Sequence, residues 1–198
     1  MFDLKKFVMD APLGDERRNK RALEIITALI QGGETGAADH VHVPGEAGVW
    51  AHTMGKCRFY DNPHLSLPNL YEPSRAALAE LVPPGHRAYV VYDVSVVDYS
   101  HHEAKDDRIW VGNKHGRGYE LFSALVHDDH GRPLGPVMQE LRTAQGCLSS
   151  EAFEPFPFVD HYEQAERGVR AARFHLPDRE LSSIRKMEGL VPRPDQLS

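Results

Sequence analysis

The sequence of 198 residues lacks several features that each define a class of protein. It has no apolar run near the roughly 20 residues that a transmembrane helix needs, and its start lacks the apolar core of a signal peptide. Its two cysteines, Cys57 and Cys147, form no CxxC-type pattern, which argues against a zinc ribbon or a disulfide framework. A net charge of -6 argues against a protein that coats nucleic acid along its whole surface, although it allows a local basic patch. These absences predict a cytoplasmic globular protein with no membrane partner.

The chain up to about residue 84 has the hydrophobic spacing of helices. In "LGDERRNKRALEIITALIQGG" (13–33), Asp15 suits the N-terminal cap, and Gly32 suits the end of the helix. Further helices are predicted over 49–62 and 66–82, with a loop over 34–48. In the first helix, apolar residues recur every three or four positions and share one side: Ala22, Leu23, Ile26, Leu29 and Ile30.

Four basic residues of the first helix lie away from this apolar side: Arg17, Arg18, Lys20 and Arg21. They could contact DNA phosphates, and each such contact would make binding depend on salt concentration. The alternative is a solvated helix face whose charge is balanced by Asp15, Glu16 and Glu24. Charge and periodicity alone leave both interpretations open.

After residue 85 the pattern changes to that of strands. Strands are predicted over 87–97, 118–127 and 133–142, and the turn sequence "DDHG" joins the last two. A loop, "EAFEPFPF", then precedes a helix over about 159–171, a short strand "RFHL" and a final helix from about Arg179. The order β-β-β-α-β-α predicts an α/β fold in which the helical part is followed by an incomplete ribonuclease-H-like mixed sheet.

This strand order would give two acidic residues a shared place in the fold. A right-handed helical crossover makes the first and fourth strands parallel neighbours. Asp93 lies within the first predicted strand and Asp178 directly follows the fourth, so both are expected at one end of the sheet. Their carboxylates could hold Mg²⁺ or Mn²⁺, whose charge would offset the cost of burying Asp93.

Other acidic and histidine-containing segments offer weaker candidates. Asp93 could instead be a structural residue, and Asp98, five positions further on, faces the opposite side of a regular strand. The segment "HHEAKDDR" (101–108) contains metal-ligand residue types, but its place between strands predicts a solvated loop. The segment "HDDHG" (127–131) has the composition of a tight hairpin turn.

Four segments occur in an order that resembles one known family. They are "LGDERRNKR", "KCRFYDNPHLS", "VVYDVSVVDYS" and "GRGYELFSALVHDDHGRPLGPV", and they extend over roughly residues 10–142. The family is that of the bacterial DDE transposases of the insertion-sequence-four and transposon-five group. The resemblance implies a helical domain over 1–84 that binds the inverted repeat at a transposon end, and a ribonuclease-H-like catalytic domain over 85–198. It also implies Mg²⁺-dependent cleavage and transfer of DNA strands.

The resemblance carries over to particular residues. It implies that Asp93 is the first of three metal-binding acids, and that Asp178 in "LPDRELSS", which is similar to the family's "DREAD" motif, is the second. The third acid, a glutamate on a later helix, has no counterpart in the 20 residues after Asp178. The expectation is therefore a truncated transposase with impaired chemistry. The alternatives are a non-catalytic remnant that binds DNA ends or pairs with intact transposase and, less well supported, a ribonuclease-H-type nuclease.

Overall fold

The computed structural model describes residues 4–32, 47–112 and 116–185 of the chain. It is a mixed α/β structure, as predicted, and the chain divides into two compact units, Met1–Ala77 and Leu78–Ser198. Within the described ranges, none of the helices is long and apolar enough to cross a membrane. The helices that precede the sheet are α1 (Leu4–Met9), α2 (Glu16–Gly32), α3 (Ala47–Tyr60) and α4 (Leu67–Leu81).

The first unit is organised around α2. Asp15 lies just before the helix, and its carboxylate accepts a hydrogen bond from the Arg17 backbone N–H at 2.7 Å, which confirms the predicted N-terminal cap. Leu29 and Ile30, which the spacing places on the buried side, are 39% and 68% exposed instead. The helix buries its middle turns in an apolar cluster formed by Val8, Ala11, Leu13, Ala22, Ile25 and Phe59.

One buried side chain, Asn19, joins α2 to the segment that carries α1. Its amide nitrogen lies 2.9 Å from the carbonyl oxygen of Val8, 3.0 Å from that of Met9 and 2.7 Å from that of Ala11. Asn19 is only 4% exposed, so these bonds are shielded from water. A buried amide that donates to several carbonyls fixes the angle at which the chain enters α2.

The second unit contains a mixed sheet with one long helix on it. The strand order is β6-β5-β4-β3-β1-β7, and β2 pairs with β3. β1 is antiparallel to β3 and parallel to β7, so β1 has a parallel neighbour as expected, but that neighbour is not the strand predicted at "RFHL". The elements are β1 (Arg87–Asp98), β2 (Ile109–Val111), β3 (Gly116–Asp128), β4 (Pro133–Thr143), β5 (Gly146–Ser149), β6 (Ala152–Phe156), α5 (His161–His175) and β7 (Glu180–Arg185).

Helix α5 covers one face of this sheet because a glycine lets it approach closely. A Cβ atom at Gly168 would lie 2.9 Å from both the Ala124 methyl and the Tyr92 ring, which is closer than real contacts allow. Alternate residues of β1 and β3 point toward the helix, and the other alternate set points to the opposite face. The core beneath α5 includes Ala88, Val90, Tyr92, Phe122, Ala124, Val126, Ala171 and Ala172.

The turn between β3 and β4 forms where the sequence predicts it. The Asp128 carboxylate accepts hydrogen bonds from the backbone N–H groups of Arg132 at 2.8 Å and His130 at 3.0 Å. The Arg132 guanidinium also pairs with it at 2.9 Å. These contacts, with the backbone bond from Arg132 foremost, hold the pKa of Asp128 below its usual range.

The segments after β4 differ from the prediction. The short strand predicted at "RFHL" is wrong, because α5 continues to His175 and buries Ala171 and Ala172 against the sheet. The helix predicted from Arg179 is also wrong, because Glu180–Arg185 forms β7 beside β1. The predicted loop "EAFEPFPF" contains β6, an edge strand that tolerates Pro155 because a free strand edge does not need its N–H group.

Candidate metal site and nucleic-acid interface

Asp93 lies on β1, where it pairs with antiparallel β3 one residue beyond the last described pair of β1 with parallel β7. Its carboxylate accepts a hydrogen bond from the Ser95 hydroxyl at 2.9 Å. The side chain is exposed, so the expectation of a buried carboxylate is wrong. The reason is alternation: Tyr92 points into the core beneath α5, and the next residue therefore points to the opposite face. There Asp93 lies opposite Ser123 on β3, whose hydroxyl accepts a hydrogen bond from the Gln139 amide at 2.8 Å.

Asp178 does not lie beside Asp93. Its backbone carbonyl accepts a hydrogen bond from the Gly85 N–H at 2.9 Å, which places it near the start of β1. Asp93 lies six residues along β1 from Arg87, where the strand begins, so at ~3.3 Å per residue it is about 20 Å from the end of the strand that lies near Asp178. Carboxylates that share a metal ion need roughly 4–6 Å. Asp178 was expected to follow the last strand, but it precedes β7. Because β1 and β7 are parallel, their starting ends lie together, so Asp178 lies near the start of β1 and away from Asp93.

The residues after Asp178 have structural contacts. The Arg179 guanidinium donates to the carbonyl oxygens of Val82 at 2.8 Å and Ala79 at 2.7 Å. It thereby supplies hydrogen-bond donors to carbonyl groups at the C-terminal end of α4. Glu180 pairs with Arg87 at 2.9 Å across the β1–β7 pair. Asp178 itself is exposed and has a φ of 61°, a conformation that L-residues rarely adopt. The "DRE" sequence therefore forms the turn into β7.

The described residues do not fit a divalent metal ion. No group of three histidine, cysteine or acidic side chains in the described ranges is placed to hold one. The nearest alternative, Asp98, accepts hydrogen bonds from the Ser100 hydroxyl at 2.6 Å and backbone N–H at 2.7 Å, which lower its pKa. In the segment 101–108, Asp107 accepts a hydrogen bond from the Tyr119 hydroxyl. Because Mg²⁺ prefers several oxygen ligands together, Asp93 alone does not make such a site.

Two of the four predicted DNA-contact residues are exposed on α2. The Arg17 side chain is 90% exposed and pairs with Asp15 at 3.1 Å. The Lys20 side chain is 60% exposed and pairs with Glu16 at 2.7 Å. Exposed ion pairs of this kind contribute little to stability, so either cation can exchange its carboxylate for a phosphate at small cost.

The other two basic residues are less exposed and make contacts within the first unit. Arg18 donates to the Leu13 carbonyl oxygen at 2.6 Å. Arg21 pairs with Glu24 at 2.8 Å, and its guanidinium lies so close to Gly55 of α3 that a side chain at that position would overlap it. Arg18 and Arg21 are therefore less available to a DNA backbone than Arg17 and Lys20.

Sequence reasoning missed the buried charge pair of the second unit. The Glu140 side chain on β4 is fully buried and binds Arg167 of α5 through two hydrogen bonds of 3.0 and 2.9 Å. Gln164, one turn earlier on α5, donates to the same carboxylate at 3.0 Å. The bond to Glu140 raises the pKa of Arg167. The sequence signal was weak: Glu140 is two residues from Met138 and shares its face of the strand.

Comparisons with known proteins assign neither a family nor a function to this chain. A comparison of the chain with protein-family models and with curated proteins found no match. Any function must therefore be argued from the segments and from the placement of these residues.

Proposed function

We propose that this chain is a transposase, or a transposase-derived protein, of the insertion-sequence-four group that binds double-stranded DNA at transposon ends. The observation that carries the proposal is the place of Asp93 on β1, a strand that pairs with antiparallel β3 and, up to Tyr92, with parallel β7. A ribonuclease-H-like sheet has the strand neighbours β4-β3-β1-β7 in this sense, and the four transposase-like segments occur in the family's order. The Asp93 carboxylate is exposed on the face opposite α5, where a substrate can reach it.

DNA binding is attributed to the helical first unit, and specifically to α2. Arg17 and Lys20 are three positions apart, which places them on neighbouring turns of one helix face. A chain with a net charge of -6 needs such a local cationic surface to approach DNA. Asp15 and Glu16 reduce the positive charge of this surface. Salt screens contacts between cations and phosphates, so binding should be strongest at low salt.

The proposal includes no metal-dependent step. Strand cleavage in this family requires a shared metal site, and Asp93 and Asp178 are too far apart to form one. We therefore propose end binding, alone or in a dimer with an intact transposase, as the function of the described residues. The non-catalytic alternative is favoured over cleavage by this separation.

A fluorescence-anisotropy titration with the terminal repeat that flanks the gene tests DNA binding. The Arg17→Ala and Lys20→Ala variants should each weaken binding and reduce the salt slope by about 1, because each removes one phosphate contact. The Asp15→Asn variant should bind more tightly, because asparagine keeps the helix cap while removing a negative charge. Arg173→Ala, an exposed arginine on α5, is the matched control and should leave binding unchanged.

Three results would each contradict part of the proposal. Equal affinity for the terminal repeat and a scrambled duplex at the same salt would exclude end recognition. If the Arg17→Ala and Lys20→Ala variants bind DNA as tightly as the parent, α2 is not the element that contacts DNA. Nicking of the repeat in Mg²⁺ or Mn²⁺ that disappears in Asp93→Asn would show instead that the chain is catalytically active.

A further inference from the structure

A cavity of about 440 Å³ lies between α5 and strands β4 to β6, entirely within the second unit. Its volume falls within the roughly 300–1,000 Å³ of small-ligand pockets in proteins. One wall residue, Phe174, is 78% exposed, which is unusual for a large apolar ring beside a cavity. The apolar wall is formed by Met138, Ala152, Phe156, Ala171 and Phe174.

The polar groups at the inner end of the cavity already have partners. Glu140 accepts hydrogen bonds from Arg167 and from the Gln164 amide at 3.0 Å. Arg167 also pairs with Glu163 at 2.7 Å, and its guanidinium lies 4.7 Å from the centre of the Phe156 ring. The charges of Glu140 and Arg167 offset each other, so this end of the cavity favours an apolar group over a second charge.

The rim of the cavity carries one available positive charge. Arg170 lines the cavity and is exposed, and no carboxylate within the described ranges forms an ion pair with it. The acidic rim residue, Glu151, is already bound to His175 at 3.1 Å. Arg170 and Phe174 are four positions apart on α5, so the charge and the exposed ring lie side by side.

We propose that this cavity binds a small amphipathic anion, with a flat apolar body against Phe156 and Phe174 and a carboxylate or sulfonate on Arg170. The apolar walls match the apolar body of the ligand, and Arg170, for which the described part of the chain supplies no carboxylate partner, matches its charge. Guanidinium groups bind such anions through two parallel hydrogen bonds. This binding is independent of the DNA proposed for the first unit.

Two fluorescent probes of similar shape test the proposal on the full chain. One is the anion anilinonaphthalene sulfonate and the other is the uncharged phenylnaphthylamine. Arg170→Gln should lower the affinity for the anionic probe about tenfold, as expected for one lost charged contact, and leave the affinity for the uncharged probe unchanged. Phe174→Ala should lower the affinity for both probes, because it removes an aromatic ring that both would contact.

Matched controls separate the cavity from general surface binding. Phe153 is 71% exposed on β6 but does not line the cavity, so Phe153→Ala should leave both probes unaffected. Arg173→Gln, on the same helix as Arg170, should also have no effect. Far-UV circular dichroism of each variant verifies folding. The proposal is wrong if the anionic probe binds without saturation, if Arg170→Gln weakens both probes equally, or if Phe153→Ala matches Phe174→Ala.

Discussion

The buried pair of Glu140 and Arg167 gives the sharpest prediction for the stability of the second unit. Replacing Arg167 with methionine keeps much of its apolar stem but leaves the Glu140 carboxylate, which is fully buried, without its cation. Breaking a buried pair in this way typically costs about 3–5 kcal/mol. The Arg167 side chain is 19% exposed and the Gln164 amide still donates to the carboxylate, so we expect the lower end, about 3 kcal/mol.

A second substitution distinguishes the charge from the packing. In Glu140→Gln combined with Arg167→Met, no buried charge remains, and the new amide can hydrogen-bond to Gln164. The double variant should therefore recover about 2 kcal/mol relative to Arg167→Met alone. Arg173→Met, an exposed position on the same helix, should change the free energy of unfolding by less than about 0.5 kcal/mol.

The assay needs a probe that belongs to the second unit alone. Cys147 on β5 is 0% exposed, so its reaction with a thiol reagent reports the opening of that unit. In a Cys57→Ser background, labelling of Cys147 across a urea titration gives the free energy of unfolding. A loss below about 1 kcal/mol in Arg167→Met, or a double variant no more stable than Arg167→Met, would refute the buried-charge explanation.

Three further predictions address other contacts. Asn19→Ala should lower the stability of the first unit by about 2–3 kcal/mol in thermal unfolding, because it removes the hydrogen bonds of a buried amide to three backbone carbonyls, and a loss no larger than that of an exposed site would refute this. Gly168→Ala should cost about 1–3 kcal/mol in urea unfolding, because its methyl would press on Tyr92, whereas an unchanged midpoint would show that α5 can shift freely. Asp128→Asn should unfold at lower urea than the parent at about pH 7, and the difference should shrink as the pH falls below the ordinary aspartate pKa of about 4 and vanish below the depressed folded-state pKa. The folded-state pKa of Asp128 is depressed, so its contribution is present above the unfolded pKa and is lost as the pH falls through the folded one. A gap that persists at low pH would refute an ionic origin.

Much of the local structure could be predicted because it depends on nearby residues. Asp15 caps α2, and Asp128 closes the turn between β3 and β4, because each acts on N–H groups only a few positions away. Strand periodicity located β1, β3 and β4 to within a few residues. The candidate site depended on contacts between residues that are far apart in the sequence. The prediction that Asp93 and Asp178 meet did not agree with the structure.

The sequence by itself determined α2, α3 and α4 and the three long strands, because period and capping are local rules. Only the tertiary structure decided which end of β1 lies near Asp178. Packing of α5 on the sheet extends that helix to His175, which moves the last strand to Glu180–Arg185 and places Asp178 before it. It likewise decided that Asp93 is exposed while Glu140 is buried with Arg167, since burial depends on which face of the sheet a distant helix covers.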